Sequence, residues 1–417
     1  MNTITDRQFK AYIGLDWADT KHDVCIQVAG EDEREFDCIP HRVDKIEQWA
    51  LSLYQRLGGP IAVIVELTRG PVVYALQKYD FIEIVPVHPS TLAWYRKLLH
   101  PSGAKDDPTD AEIMLDLVLK HPERHQLLQS QSAVLRELHL LVEHRRQLVA
   151  DKVRLVNRLA ATLKQYYPQS LDWFERRDTV MFCDFVSRWS TLRKVQSARN
   201  STLEKFFREH HAYRKTVLKR RLEGIRAAGP LTNDEALINA YALKSRTLVE
   251  QLRPTLAAIA HYEEMISRLA CDHPDYELYI DLPGAGAALA PRLLVAFGEQ
   301  RERFTNADEM QMYAGIAPVT ERSGRRQWVH WRTQCPRFLR QTFIEWASHS
   351  IGHSYWAEAY YRQQRARGNG HQAAVRSLAF KWIRILYRCW KSRTPYDESR
   401  YLKALKRRGS PLASTGA

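Results

Sequence analysis

The sequence predicts an α/β amino-terminal domain followed by a mainly helical remainder. Short β-rich apolar runs alternate with helical segments over residues 1 to about 120, and the strand signal vanishes beyond Pro122. Apolar residues then recur at heptad spacing, which calls for long helices. A chain of 417 residues is long enough for two or three domains with cores of their own.

Strands are expected at Tyr12 to Trp17, Asp23 to Val28, Arg34 to Ile39, Ile61 to Glu66 and Ile82 to Val87. A helix is expected from about Asp44 to Leu57, and another after Pro71. Three strands in close succession, then a helix and a strand ending in an acid, match the order of a ribonuclease H-like sheet. Two of these runs deliver a carboxylate to their carboxyl ends: Ile13-Gly14-Leu15-Asp16 and Ile61-Ala62-Val63-Ile64-Val65-Glu66. In Asp107-Pro108-Thr109-Asp110, a Pro at a helix start puts Asp107 and Asp110 three apart on one helix face.

Each acid alone reads more readily as an ordinary strand-end or helix-start residue. The order strand-Asp, strand-Glu, helix-DxxD singles the set out, because strand ends are poor places to bury unpaired charge. Four converging carboxylates suit a pair of Mg²⁺ ions about 3.5 to 4 Å apart, the arrangement that drives two-metal phosphoryl transfer.

Over residues 126–272, Leu135, Val142, Val149, Val156 and Leu163 repeat every seven residues, with Leu138 and Leu159 at a companion position. Leu248, Leu252, Ile259, Tyr262, Ile266 and Leu269 form a second stripe, and the two predict a coiled-coil arm, paired antiparallel or dimerising, with Arg145 and Lys152 interrupting the dry seam. Arg145, Arg146, Lys152, Arg154 and Arg158 load the first helix with positive charge, as a nucleic-acid contact or a solvated face.

Residues 273–392 open on Leu282-Pro283-Gly284-Ala285-Gly286 and an apolar helix through Phe297. Gly284 and Gly286 suit a helix-hairpin-helix-like turn that offers backbone N–H groups to phosphate, or a turn that simply packs tightly. Further on, Ser323 sits beside Gly324 with Arg322, Arg325 and Arg326 around it. A serine attacks phosphate only where charge is neutralised and its proton is taken; otherwise the segment is a polar turn.

The net charge of +14 favours a polyanionic partner. From Arg362 to Arg408 there are fourteen Lys or Arg against Asp397 and Glu398, including Arg376, Lys381 and Arg384, before a basic tail at 393–417. Interleaved Trp382, Tyr387, Trp390 and Tyr396, with helix-compatible apolar spacing at Leu378, Trp382 and Ile385, lead us to read this segment as a basic helix against a nucleic-acid backbone rather than a merely solvated face. The six cysteines form no CxxC pair and no zinc-ligand spacing. No signal-peptide core and no apolar run near 20 residues occurs, so a reducing cytoplasm and no membrane are expected.

These residues resemble the DEDD transposases of insertion sequences, described as RNA-guided bridge recombinases, over roughly 11–118 and 275–397. The family's second acid lies in a pattern near EATG and its last two in K-T-D-x-x-D-A. This chain reads Glu66-Leu67-Thr68-Arg69-Gly70 and Lys105-Asp106-Asp107-Pro108-Thr109-Asp110-Ala111, departing at Leu67, Arg69 and Asp106. Tyr313-Ala314-Gly315-Ile316-Ala317-Pro318, Ser323-Gly324 and Gly368-Asn369-Gly370-His371-Gln372-Ala373 follow the family order.

The resemblance implies a RuvC-like catalytic domain at 1–125, Mg²⁺ on Asp16, Glu66, Asp107 and Asp110, and Ser323 as the nucleophile forming a phosphoserine link to DNA. It also implies a structured noncoding guide RNA pairing with donor and target DNA, a homodimer or a tetramer in the synaptic complex, and a bacterial cytoplasmic protein that joins the nucleoid when acting. Two rival readings are a hydrolytic junction-resolving nuclease, which needs the acids but no serine, and a non-catalytic RNA-binding scaffold.

Overall fold

The computed structural model describes residues 3–66, 70–99 and 107–413, without the side chains of Asp107 and Ala413. Leu67, Arg69 and Asp106 therefore lie outside the described residues. The chain is mixed α/β with mostly helical content, in two compact units, Met1–Ser130 and Gln131–Ala417.

The first unit is built on five strands: β1 (Ala11–Trp17), β2 (Lys21–Val28), β3 (Arg34–Pro40), β4 (Ile61–Val65) and β5 (Ile82–Pro86). Their order is β3-β2-β1-β4-β5; the first three pair antiparallel, and β4 and β5 join parallel to β1. This is the succession expected of a ribonuclease H-like sheet. Strand alternation sends Ile13, Leu15, Val63 and Val65 to one face, where Ile46, Trp49 and Leu53 of α1 (Val43–Leu57) and Val72 and Leu76 of α2 (Pro71–Leu76) cover them. Cys25, Ala62 and Ile64 face the other way, under Leu92 and Tyr95 of α3 (Pro89–Leu99) and Ala111, Met114 and Leu115 of α4 (Asp107–Lys120).

Gly14, at the centre of β1, sets how closely α4 lies on the sheet. A Cβ there would stand 1.9 Å from the Ala111 carbonyl oxygen and 3.1 Å from the Leu115 nitrogen. Helix backbone thus rests on strand backbone, an approach that a bare Cα alone permits. Gly14→Ala is expected to push α4 outward, destabilise the unit by about 1–3 kcal/mol and lower DNA processing. A thermal melt and a strand-exchange assay check this, and wild-type values in both would refute it.

In the second unit, α5 (Ala133–Leu163) runs beside α11 (Glu235–Cys271). The pair is antiparallel: Leu135, Leu138 and Val142 share a core with Ile266 and Ala270, while Leu159 and Leu163 share another with Leu248 and Leu252. Val149 and Val156, in the middle of the first stripe, are half-buried, so the heptad positions are not sealed along their length.

Between the long helices, α6 (Gln169–Asp172), α7 (Val180–Arg188), α8 (Leu192–Gln196), α9 (Asn200–Glu209) and α10 (Lys215–Ala227) fold into a head. Phe174, Phe182, Phe185 and Phe207 are fully buried there. The sequence reading expects only an arm over this stretch; the head escapes it because these aromatics hold no fixed period.

The root of the arm and the carboxyl-terminal helices share one core. Elements α12 (Glu277–Ile280), α13 (Gly286–Phe297), α14 (Ala307–Tyr313), the hairpin β6 (Val319–Ser323) and β7 (Arg326–His330), α15 (Arg337–Ser350), α16 (Tyr355–Ala366), α17 (His371–Ser392) and α18 (Glu398–Arg407) follow in order. Trp346, Trp356, Trp382 and Trp390 are fully buried among them. The aromatics of the basic segment are therefore largely core: Trp382 Nε1 donates to Ser350 Oγ at 2.8 Å and Trp390 Nε1 to the Gly298 carbonyl at 2.8 Å. Leu405 and Leu412 of the tail pack into the same core.

Candidate active site

The parallel register of β1 and β4 aligns Leu15 with Val65, so Asp16 and Glu66 stand at neighbouring strand ends. Asp16 shares the parity of Gly14, and Glu66 that of Ala62 and Ile64, which puts both on the α4 side of the sheet. Asp110, 2% exposed, precedes the Ala111 that touches Gly14. Its Oδ1 accepts a hydrogen bond from Arg96 Nε at 2.6 Å, a charge-assisted contact that compensates burial of the carboxylate. Asp107 opens α4, with its side chain outside the described residues.

What holds α4 in place is a second set of charges one turn and more along it. Arg34 of β3 reaches Glu112 at 2.9 Å and Asp116 at 3.0 Å, and Tyr95 donates to Asp116 at 2.8 Å. Burial pushes the Asp116 carboxyl upward, but bonds from Lys120, Arg34 and Tyr95 outweigh it and leave its pKa lowered.

Donor chemistry on this face fits a hard dication: carboxylates alone, with no thiol or imidazole required. Among the described residues, no three His, Cys, Asp or Glu side chains are gathered closely enough to enclose an ion. Asp16, Glu66 and Asp110 are thus neighbours on one face rather than a closed cage, and Arg96 holds one of the two Asp110 oxygens.

Ser323 lies in the other unit, at the tip of the β6–β7 hairpin, where it pairs with Arg326 across Gly324 and Arg325. Gly324 has φ +57°, the left-handed conformation that two-residue hairpin turns need. Ser323, Arg322, Arg325 and Arg326 are all exposed, as are Trp328 and Val329. At the hairpin base, the Arg376 guanidinium covers the Trp331 ring.

With this geometry in view, residues 13–168 match a family of DEDD transposases of the IS110 type, and residues 277–362 match one described as "Transposase IS116/IS110/IS902 family". The chain belongs to the IS110 family of DEDD transposases. It is 27% identical over 402 residues to a Streptomyces coelicolor protein named "Mini-circle putative transposase for IS117", covering 93% of this chain and 96% of that protein. It is 26% identical over 317 residues to a Mycobacterium paratuberculosis protein named "Insertion element IS900 uncharacterized 42 kDa protein", covering 72% of this chain and 76% of the other. The transposase acts on DNA in the movement of an insertion sequence. No helix among its described residues is long and apolar enough to cross a membrane.

Two neighbours of the transposase acids were not read from the sequence. Asp23 is the Cα partner of Asp16 across the β1–β2 pair, so both carboxylates lie on the same face; Asp23 is 6% exposed and pairs with Lys21 at 3.1 Å. The register about the turn at residues 18–20 was the available signal. Arg96 gave none, because its partnership with Asp110 is made by tertiary packing.

The basic residues singled out in the sequence have mixed surroundings. Arg145 pairs with Glu263, Lys152 with Asp178 at 2.9 Å and Arg154 with Asp151, while Arg158 is exposed. Arg146 donates to Gln341 Oε1 at 3.3 Å. Burial and then Arg340 pull the Arg376 pKa down to about 10; Lys381 lies over the Tyr360 ring, and burial and then Arg384 lower its pKa. Arg384 is exposed. A Cβ on Gly284 would stand 2.7 Å from the His349 carbonyl carbon, so close packing accounts for this glycine, whereas Gly286 borders open space.

Proposed function

We propose that this transposase performs Mg²⁺-dependent cleavage and strand exchange of DNA through a phosphoserine intermediate on Ser323, directed by a structured noncoding RNA that pairs with donor and target. The observation that carries the acidic half of this reading is the β1–β4 register, which sets Asp16 and Glu66 side by side under the helix bearing Asp107 and Asp110. Asp16, Glu66, Asp107 and Asp110 would hold the metal. When bound, Mg²⁺ would neutralise phosphate charge and favour an ionised attacking oxygen.

Ser323 Oγ attacks phosphorus, its bond to phosphorus forms, a DNA P–O bond breaks, and the released strand ends in a hydroxyl that takes up a proton. The hydroxyl of a second strand then attacks the phosphoserine and frees Ser323. One phosphodiester is lost and one is made, so no outside energy source is required. The exposed arginines beside Ser323 suit a phosphate that gains charge during attack. The guide RNA rests on the family resemblance, with the net charge of +14 as support. A homodimer, or a tetramer in the synapse, would unite serine and acids from different copies.

The test incubates purified protein with element-end DNA, target DNA and the noncoding RNA flanking the gene. A covalent protein–DNA adduct that needs both RNA and Mg²⁺, and is lost with chelator, is the expected result. Cleavage to free ends without adduct would return the reading to a hydrolytic nuclease.

A further inference from the structure

A cleft of about 890 Å³ opens in the second unit where α5, α11, α13 and α15 meet. Its walls carry Arg145, Arg146, Arg154 and Arg292 against Glu263 and Glu345, an excess of positive charge. Arg292 is 9% exposed; its Nε donates to Thr342 Oγ1 at 3.2 Å and its Nη1 pairs with Glu345. Arg292 Nη2 and Arg146 Nε are buried with no hydrogen-bond partner among the described residues. Buried guanidinium nitrogens of this kind are costly to leave unpaired, and a small turn of either side chain towards the cleft would give them an anion as acceptor.

A second, independent feature faces the same space. Ala287 and Ala288, in the first turn of the 12-residue helix α13, line the cleft. That turn carries no acidic residue and no side-chain cap, so the helix dipole adds positive potential at this end of the cleft. Between the charged walls the floor is apolar, formed by Val142, Val149, Val153 and Ile266.

Phosphate alone would leave most of this volume unfilled, since clefts of ~300–1,000 Å³ take drug-sized ligands. Charge for a backbone, an apolar floor for unpaired bases and guanidinium planes for stacking together describe a single strand of nucleic acid, whose bases a duplex would hide. We infer that this cleft at the root of the arm binds the phosphodiester backbone of a single-stranded nucleic-acid segment, with Arg146, Arg292 and the start of α13 on phosphate. The inference rests on the proposed strand-exchange function for the presence of such strands, and it adds a site outside both the acidic face and the serine hairpin.

The test measures binding of labelled ~10-nucleotide single strands of DNA and RNA to the full-length protein by fluorescence anisotropy across a salt series. Arg146→Gln is expected to weaken binding roughly tenfold, the usual effect of losing a charged hydrogen bond, and to flatten the log Kd against log salt slope by about 0.7. Ala150→Glu, at an exposed position lining the cleft, should weaken it similarly without touching the core. Arg220→Gln, on the exposed surface of the head, is the charge control and should change affinity less than twofold.

Loss confined to RNA identifies the guide as the occupant, and loss confined to DNA identifies a substrate strand; either supports the site. Cleft variants that bind both strands as well as the Arg220→Gln control overturn it. Wild-type protein that binds single strands through the cleft but forms no adduct with element-end DNA would sink the strand-exchange reading and leave the cleft standing.

Discussion

Asp16→Asn is expected to lower DNA strand exchange by about 10³-fold while leaving the thermal melt close to that of the wild type. The metal site is asked for several kcal/mol of transition-state stabilisation, and each 1.36 kcal/mol is tenfold in rate. Asn keeps the size of the side chain and removes the charge, so packing on the α4 side of the sheet is preserved. Glu66→Gln and Asp107→Asn should behave alike.

Asp110→Asn carries an added structural effect. Its carboxylate is the buried partner of Arg96, so the substitution should cost about 1–3 kcal/mol of stability as well as activity. Asp106→Asn should have far less effect than Asp107→Asn, which fixes the register of the acidic motif. Quantitative strand-exchange rates beside melting curves provide the measurement. Wild-type rates in Asp16→Asn would remove the acids from the chemistry altogether.

Ser323→Ala is expected to abolish the covalent protein–DNA adduct completely, because no other group at the hairpin tip can carry phosphate in its place: Gly324 has no side chain and the flanking residues are arginines. Since Ser323 is exposed in an exposed hairpin, the substitution should leave folding unchanged. Serine and acids belong to different compact units. Mixed Ser323→Ala and Asp16→Asn proteins should therefore regain part of the activity that each lacks, as one pairing of copies holds an intact site. An adduct formed by Ser323→Ala would remove this serine as nucleophile. An intact wild-type adduct without rescue in the mixture would argue against sharing between copies.

The placing of Asp16 and Glu66 at neighbouring strand ends was legible because its pieces are local: an apolar run announces a buried strand, and its last residue announces where a carboxylate will stand. The Asp-Pro start of α4 and the heptads of α5 are equally local: α4 begins at Asp107, and the stripe from Leu135 to Leu163 lies within Ala133–Leu163. Arg96 and the Gly14–Ala111 contact were hidden because they join segments distant in sequence. Trp382 and Trp390 misled for a different reason. Interleaved with arginines they support a helix lying against a nucleic-acid backbone, yet with Leu378 and Leu386 they repeat every four residues and form the buried side of α17.

The core shared by the arm root and the carboxyl-terminal helices limits how the arm can move. Leu135, Leu138 and Ile266 interlock with Leu293, Phe343 and Trp346, so the arm cannot swivel at its base without opening that core. A 37-residue helix extends about 55 Å. A partner that pulls on the head is therefore expected to load that shared core, and Pro254, inside α11, marks where the long lever would bend first.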